Sequence, residues 1–173
     1  MSREIWKPGT MLNPVPVVLV TSKYNGVENV FTVAWTGTIC SDPAMTYISI
    51  RKERYSYDLI KNSKRFCINL VNEDLVYETD YCGVRSGKNE NKFEKMKLEK
   101  ENAQNFECPI IKKSPVVIEC EVTNIIELGS HDMFMAKILS VDIDKKYMDE
   151  NGKFDMQKCN LVAYSHGEYY KLG

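Results

Sequence analysis

Three short stretches of this chain bring together side chains that could hold a flat, phosphate-bearing cofactor. Asn29-Val30-Phe31-Thr32-Val33-Ala34-Trp35-Thr36 is rich in β-branched and aromatic residues, and Ser49-Ile50-Arg51 and Arg54-Tyr55-Ser56 follow after a break at Asp42-Pro43. Strand edges offer apolar surface and backbone groups to a ring, while guanidinium and hydroxyl groups hold a dianion by charge-assisted hydrogen bonds. Arg54 and Ser56 are the first candidates for the dianion. They stand where a strand gives way to a helix, and the N–H groups and dipole of a first helical turn favour phosphate. A plain N-cap at Ser56 and a solvated charge at Arg54 fit the same residues equally well.

The elements that must position these groups are mostly strands. Val15 to Thr21 is β-branched, and Asn25-Gly26 then signals a hairpin into Val30 to Trp35. Met45 to Ile50 reads as a third strand. Ser56 to Lys64 reads as a short helix leading into a strand from Arg65 to Val71. Asn72 to Cys82 has acids in its first turn and apolar residues at helical spacing, which predicts a helix stopping at Gly83. Ser86 to Asn105 is polar, with Phe93, Met96 and Leu98 suggesting a helical turn inside a long excursion. Strands are expected again over Val116 to Leu128, Met133 to Asp144 and Lys158 to Tyr164, with a turn at Asn151-Gly152.

Strands without strand–helix alternation predict a mainly β fold, an antiparallel barrel with helical insertions, and disfavour a doubly wound sheet. The length of 173 residues suits one domain spanning 1–173. A 43% hydrophobic and 27% charged composition is that of an ordinary globular chain. The net charge of −1, with both signs interspersed, lacks the field that collects nucleic acid or an anionic membrane. No run approaches a membrane span and the N-terminus lacks a signal-like apolar core, so the expected location is cytoplasmic. The six scattered cysteines are then expected as reduced thiols, with Cys67 and Cys120 in core packing and no metal site. Neither G-x-G-x-x-G nor a P-loop occurs.

Placed on these elements, the chain resembles the flavin reductase-like family, whose members adopt the FMN-binding split barrel, an antiparallel Greek-key type. The resemblance runs nearly end to end. It rests on Asn29 to Trp35 with Thr36, the Asp42-Pro43 turn, Arg54-Tyr55-Ser56, Ser86-Gly87-Lys88, Lys92-Phe93, Gly129-Ser130-His131 and the closing run from Tyr164 to Gly173. Flavoredoxin-like proteins are the most similar subgroup. Asn91 stands where the family pattern often has Asp, which leaves the local salt-bridge partner open.

The resemblance implies FMN as cofactor. Its phosphate falls to Arg54 and Ser56, with Lys92 as a second cation, and Arg51 and Ser86 are further cofactor contacts. Its ring falls to Ala34, Trp35, Thr36 and Thr38 on one edge and to Ser49 and Ile50 on the other. Trp35 also reads as core. Cys40 could touch the ring or be a packed thiol. His131, on a turn between two strands, is the catalytic candidate, as a donor of a hydrogen bond or a proton near the flavin. His166 is expected at the surface.

The implied activity is a flavin-dependent oxidoreductase. NADH or NADPH would pass hydride to the flavin, and electrons would go on to free flavin, iron or a protein acceptor. The alternative is a flavoredoxin-type electron-transfer protein without its own nicotinamide activity. A homodimer is implied as well, and Tyr169, Tyr170 and Leu172 would pack against a partner or cap the barrel.

Overall fold

The computed structural model describes residues 2–172. Strands β1 (Val15–Pro16), β2 (Val18–Tyr24), β3 (Val27–Val33), β4 (Thr36–Ser41) and β5 (Ala44–Ile50) precede helix α1 (Ser56–Ser63) and β6 (Arg65–Leu70). The excursion holds α2 (Val76–Val84), α3 (Lys92–Lys95) and the small hairpin β7 (Lys100–Asn102) and β8 (Pro109–Ile111). Long strands β9 (Val116–Glu127) and β10 (Asp132–Ile143) follow, and β11 (Val162–Ser165) and β12 (Glu168–Lys171) close the chain.

Seven strands form one antiparallel sheet in the order β3-β2-β6-β9-β10-β5-β4, and β1, β11 and β12 form a second. The large sheet curls so that its two ends share a core. Phe31 and Val33 of β3 pack in the same cluster as Ile48 and Ile50 of β5, with Phe66, Cys120 and Phe134 between them. Helix α1 fits this cluster because Tyr57 and Ile60, three residues apart, lie on one face. Burying side chains such as Phe66 and Phe134 contributes roughly 1.5–3 kcal/mol each.

Strand β2 is apolar on both faces for a reason. Val18 and Val20 point into the central cluster, while Leu19 joins Val30, Leu75, Cys82, Phe93 and Leu98 in a second cluster beneath the excursion. The excursion is therefore packed onto the outside of β2 and β3. All six cysteines are free thiols, and only Cys40 is not buried. Cys120 belongs to the central cluster and Cys67 to a third, with Cys108 and Val117.

Several expectations change at their edges. Asn25 and Gly26 both take positive φ, the turn an Asn-Gly hairpin needs. Thr36 to Ser41, assigned to no element from the sequence, is a separate strand that is joined to β5 through the Asp42-Pro43 turn and pairs with it. Gly83 does not stop α2, which runs on to Val84. A Cβ on Gly83 would lie 3.4 Å from Cβ of Thr32, so this glycine lets the helix lie close to β3. The strand expected from Lys158 begins at Val162, after a 3-10 turn over Met156–Cys159. Tyr169 packs edge-on against Tyr164, whereas Tyr170 and Leu172 are exposed. No helix among the described residues is long and apolar enough to cross a membrane.

Candidate functional site

One cleft runs along the open seam of the barrel, where β3 and β5 end and α1 begins. Its first chamber, about 360 Å³, is walled by Phe31 to Trp35, by Ser49 to Arg51 and by α2 at Gly83 and Val84. Tyr164 and Tyr169 close it from the second sheet, and His131 from the β9–β10 turn. A second chamber of about 420 Å³ adjoins it and is lined by Asn29, Tyr55, Arg85, Ser86, Gly87 and Lys92. Phe31, Arg51 and Arg54 border both chambers.

Four cations, Arg51, Arg54, Arg85 and Lys92, line the second chamber against one carboxylate, Glu53. Lys92 is 2% exposed, and its ammonium donates to the carbonyls of Cys82 and Arg85, each at 3.1 Å. The ammonium thereby caps the C-terminal end of α2. No carboxylate bonds this ammonium, and burial pulls its pKa down to about 8. A buried ammonium bonded only to carbonyls can still take an anion in the chamber that it lines. Arg54 donates to the Gly83 carbonyl at 3.0 Å, which sets its guanidinium along the chamber wall.

Gly87 is required where it stands. A Cβ there would lie 2.6 Å from the Tyr55 ring and would overlap the Asn29 amide, so any side chain would displace the chamber's floor. Asn29 is itself fixed by donating to the Ser56 hydroxyl at 2.8 Å. Ser56, 1% exposed, neither caps α1 nor lines the cleft. It accepts from Asn29, which lines the second chamber, and itself lies outside the lining in which a phosphate contact was expected.

Around the first chamber the side chains are less committed. Trp35 is 41% exposed and stacks on His131, with ring centroids 4.4 Å apart and planes 37° from parallel. The Ser130 hydroxyl lies 2.9 Å from Nδ1 of His131. Burial, then the charge of Arg51, holds His131 below its usual pKa, which favours the neutral imidazole at pH 7. The Trp35 carbonyl accepts from the Ser49 amide at 2.9 Å, fixing the two strand ends side by side.

Of the expected residues, Ala34, Trp35, Ser49, Ile50, Arg51, Arg54 and His131 meet at the first chamber, and Arg51, Arg54, Ser86 and Lys92 at the second. Thr36 turns instead to the Tyr47 carbonyl, 2.5 Å away, and borders a neighbouring groove. Thr38 and Cys40 lie farther along β4 and line neither chamber, because that strand leads away from the seam. The Cys40 thiol donates to the Asp42 carbonyl at 3.4 Å. His166 is exposed, as expected. The position of Asn91 also resolves: its side chain accepts from the Phe93 and Glu94 amides and caps α3, a task that needs no salt bridge. Sequence reading missed Phe31, Tyr55, Gly87, Tyr164 and Tyr169 as lining residues. The alternation Phe31-x-Val33 pointed to the core, and nothing local marks a core residue as also forming a wall.

Residues 10–173 match the model of the flavin reductase like domain. The chain belongs to the flavin reductase like family. An uncharacterized protein of Archaeoglobus fulgidus is 30% identical over 172 residues, 98% of this chain and 94% of that protein. Flavoredoxin of Desulfovibrio vulgaris (Miyazaki F) superposes with a TM-score of 0.91 at 28% identity, covering 99% of this chain and 94% of its own. An FMN-binding protein of Thermus thermophilus superposes with a TM-score of 0.84 at 19% identity, covering 98% of this chain and 96% of its own. The fold of this flavin reductase like protein is thus the split barrel that its sequence implied, with β3 and β4 as the two edges of its large sheet.

Proposed function

We propose that this protein binds FMN in the two-chambered cleft and works as a flavin-dependent oxidoreductase. The observation that carries this is the pairing of a ring-sized chamber with a second chamber that holds a buried, unneutralised lysine. Lys92, Arg54, Arg85 and the Ser86-Gly87 backbone hold the phosphate. Strand-end groups of Ala34, Trp35 and Ser49 meet the polar edge of the ring, and Ile50 and Phe31 provide its apolar floor. FMN supplies two-electron redox chemistry when bound. The protein fixes its position, keeps water from its inner face and holds a neutral His131 at the rim as a hydrogen-bond partner.

NADH or NADPH as donor, with a flavin, iron or protein acceptor, is the first form of this proposal. The likeness to a flavoredoxin favours a second, in which the protein carries electrons between partners with no nicotinamide activity. A homodimer suits the exposed Trp35 just before β4, Ile39 on β4, Tyr170 on β12 and Leu172 just after it, and sedimentation checks it. The deciding experiment is the visible spectrum of the FMN-loaded protein under anaerobic addition of NADH and then NADPH. Bleaching within seconds supports the reductase. Bleaching only by dithionite supports the carrier, and failure to take up FMN ends both.

A further inference from the structure

At the end of the β9–β10 hairpin opposite His131, two carboxyl groups meet. Glu119 pairs across the strands with Ser140, and Val117 with Asp142, so Glu119 and Asp142 are diagonal neighbours on one face of the sheet. The loop 103–108, between β7 and β8, comes down on both. Glu119 is fully buried, and its two oxygens accept from the Gln104 amide at 2.7 Å and from the Asn105 amide and side chain at 2.9 and 3.1 Å. Gln104 also donates from its side chain to Oδ1 of Asp142 at 3.2 Å. Oδ2 of Asp142 is out of water and receives no hydrogen bond from any described residue. The group within its hydrogen-bonding reach is the Glu119 carboxyl.

Two ionised carboxylates in such contact repel, whereas one proton between them turns the contact into a charge-assisted hydrogen bond. Glu119 is equipped to be the charged partner. Burial works against its charge, but the Gln104 and Asn105 donors outweigh it and hold its pKa below the usual range. Burial, and then Glu119 itself, push Asp142 above the usual aspartate range. The charges around the pair are engaged elsewhere: Glu121 with Arg65 of β6, Asp144 with Lys146, and Glu107 of the loop with Lys23. Across the small cavity that Asp142 lines, Lys112 is held by Glu99, and Glu101 adds a like charge. Cys67 of β6 is opposite Glu119, and its contact with Cys108 and its burial keep it a neutral thiol.

We propose that Glu119 and Asp142 share one proton, and that this proton latches the loop 103–108 to the barrel. Its loss to solvent sets two like charges against each other under the loop and loosens the bonds to Gln104 and Asn105. Folding raises the hold of Asp142 on its proton, so the stabilisation is complete in acid and is lost as pH rises through the folded-state pKa. Ala103 and Phe106 of the same loop pack against the buried thiols of Cys67 and Cys108, which opening brings within reach of solvent. The latch needs no FMN.

The test uses the full chain and two site-resolved measurements. In carboxyl-carbon NMR spectra Asp142 should titrate clearly above free aspartate, and Glu119 below free glutamate. Hydrogen–deuterium exchange, corrected for intrinsic rates, should show the Gln104 and Asn105 amides opening roughly fivefold more often on the alkaline side of the Asp142 titration than on its acid side. Asp142→Asn puts an amide N–H where the shared proton lies, so protection should stay at the acid-side level at every pH. An Asp142 that titrates with free aspartate or below it overturns the inference. So does wild-type protection that ignores this titration, or a pH slope that survives Asp142→Asn, and each of these results leaves the flavin site standing.

Discussion

The two ends of the cleft are built on opposite plans. At the phosphate end several groups are already engaged: Lys92 with two carbonyls, Arg54 with Gly83, Asn29 with Ser56, and Gly87 close to Tyr55 and Asn29. At the ring end Trp35 and Arg51 are half in solvent and His131 is held by a stack and one hydroxyl. In the proposed complex a cofactor is thus anchored by its inert end and left accessible at its reactive one. Pre-ordered groups lose little freedom on binding, which favours affinity, while loosely held ones can adapt to a second ligand.

The comparison breaks if substitutions at the two ends have similar effects on FMN affinity. Gly87→Ala should act most strongly, weakening FMN at least about a hundredfold in a fluorescence titration, because its methyl group would push Asn29 and Tyr55 into the phosphate chamber. Lys92→Met should weaken FMN roughly tenfold to a hundredfold, the range for a charge-assisted bond of about 1.5–3 kcal/mol. Riboflavin, which lacks the phosphate, should be affected less than about threefold. The wild-type FMN affinity should also fall as pH rises above about 8, where free Lys92 loses its proton and bound phosphate holds it. That slope should disappear in Lys92→Met.

Substitution at the ring end should have smaller effects. Trp35→Ala removes a half-exposed stack worth about 0.5–1.5 kcal/mol, so FMN affinity should change by about tenfold or less. A loss as large as that of Gly87→Ala would place the tryptophan in the anchor. The smallest effect is on His131. Its imidazole resonances should titrate below the ordinary histidine range, and Arg51→Gln should move that titration upward, since Arg51 is the main charge opposing its protonation. An unmoved titration would separate Arg51 from the ring end.

The strands and their antiparallel character were legible because β-branched runs and the Asn25-Gly26 turn act locally. β4 was not, because Thr36-Gly37-Thr38 carries little strand signal and is held by pairing with β5. β7 and β8 are short, and their pairing depends on packing against the barrel. At the site, Arg54 and Lys92 could be named from charge and place. The supporting role of Ser56 could not, since a buried hydroxyl and an N-cap are written with the same letter. Cys40 and Thr38 were misplaced by one unseen event, the turning of β4 away from the seam. Family resemblance added order to these residues, and only the fold separated those that face the cleft from those that stand behind it.

The carbonyl-capped ammonium of Lys92 also bears on how the protein matures. Without a ligand the folded chain holds a buried ammonium that two carbonyls satisfy and no carboxylate bonds. A phosphate-bearing ligand supplies the missing counter-charge, and its binding energy adds to that of folding. The cofactor then serves as the last element of the core: FMN should raise the unfolding temperature well beyond what riboflavin achieves at equal occupancy, and the excursion bearing Lys92 should be the part that tightens most.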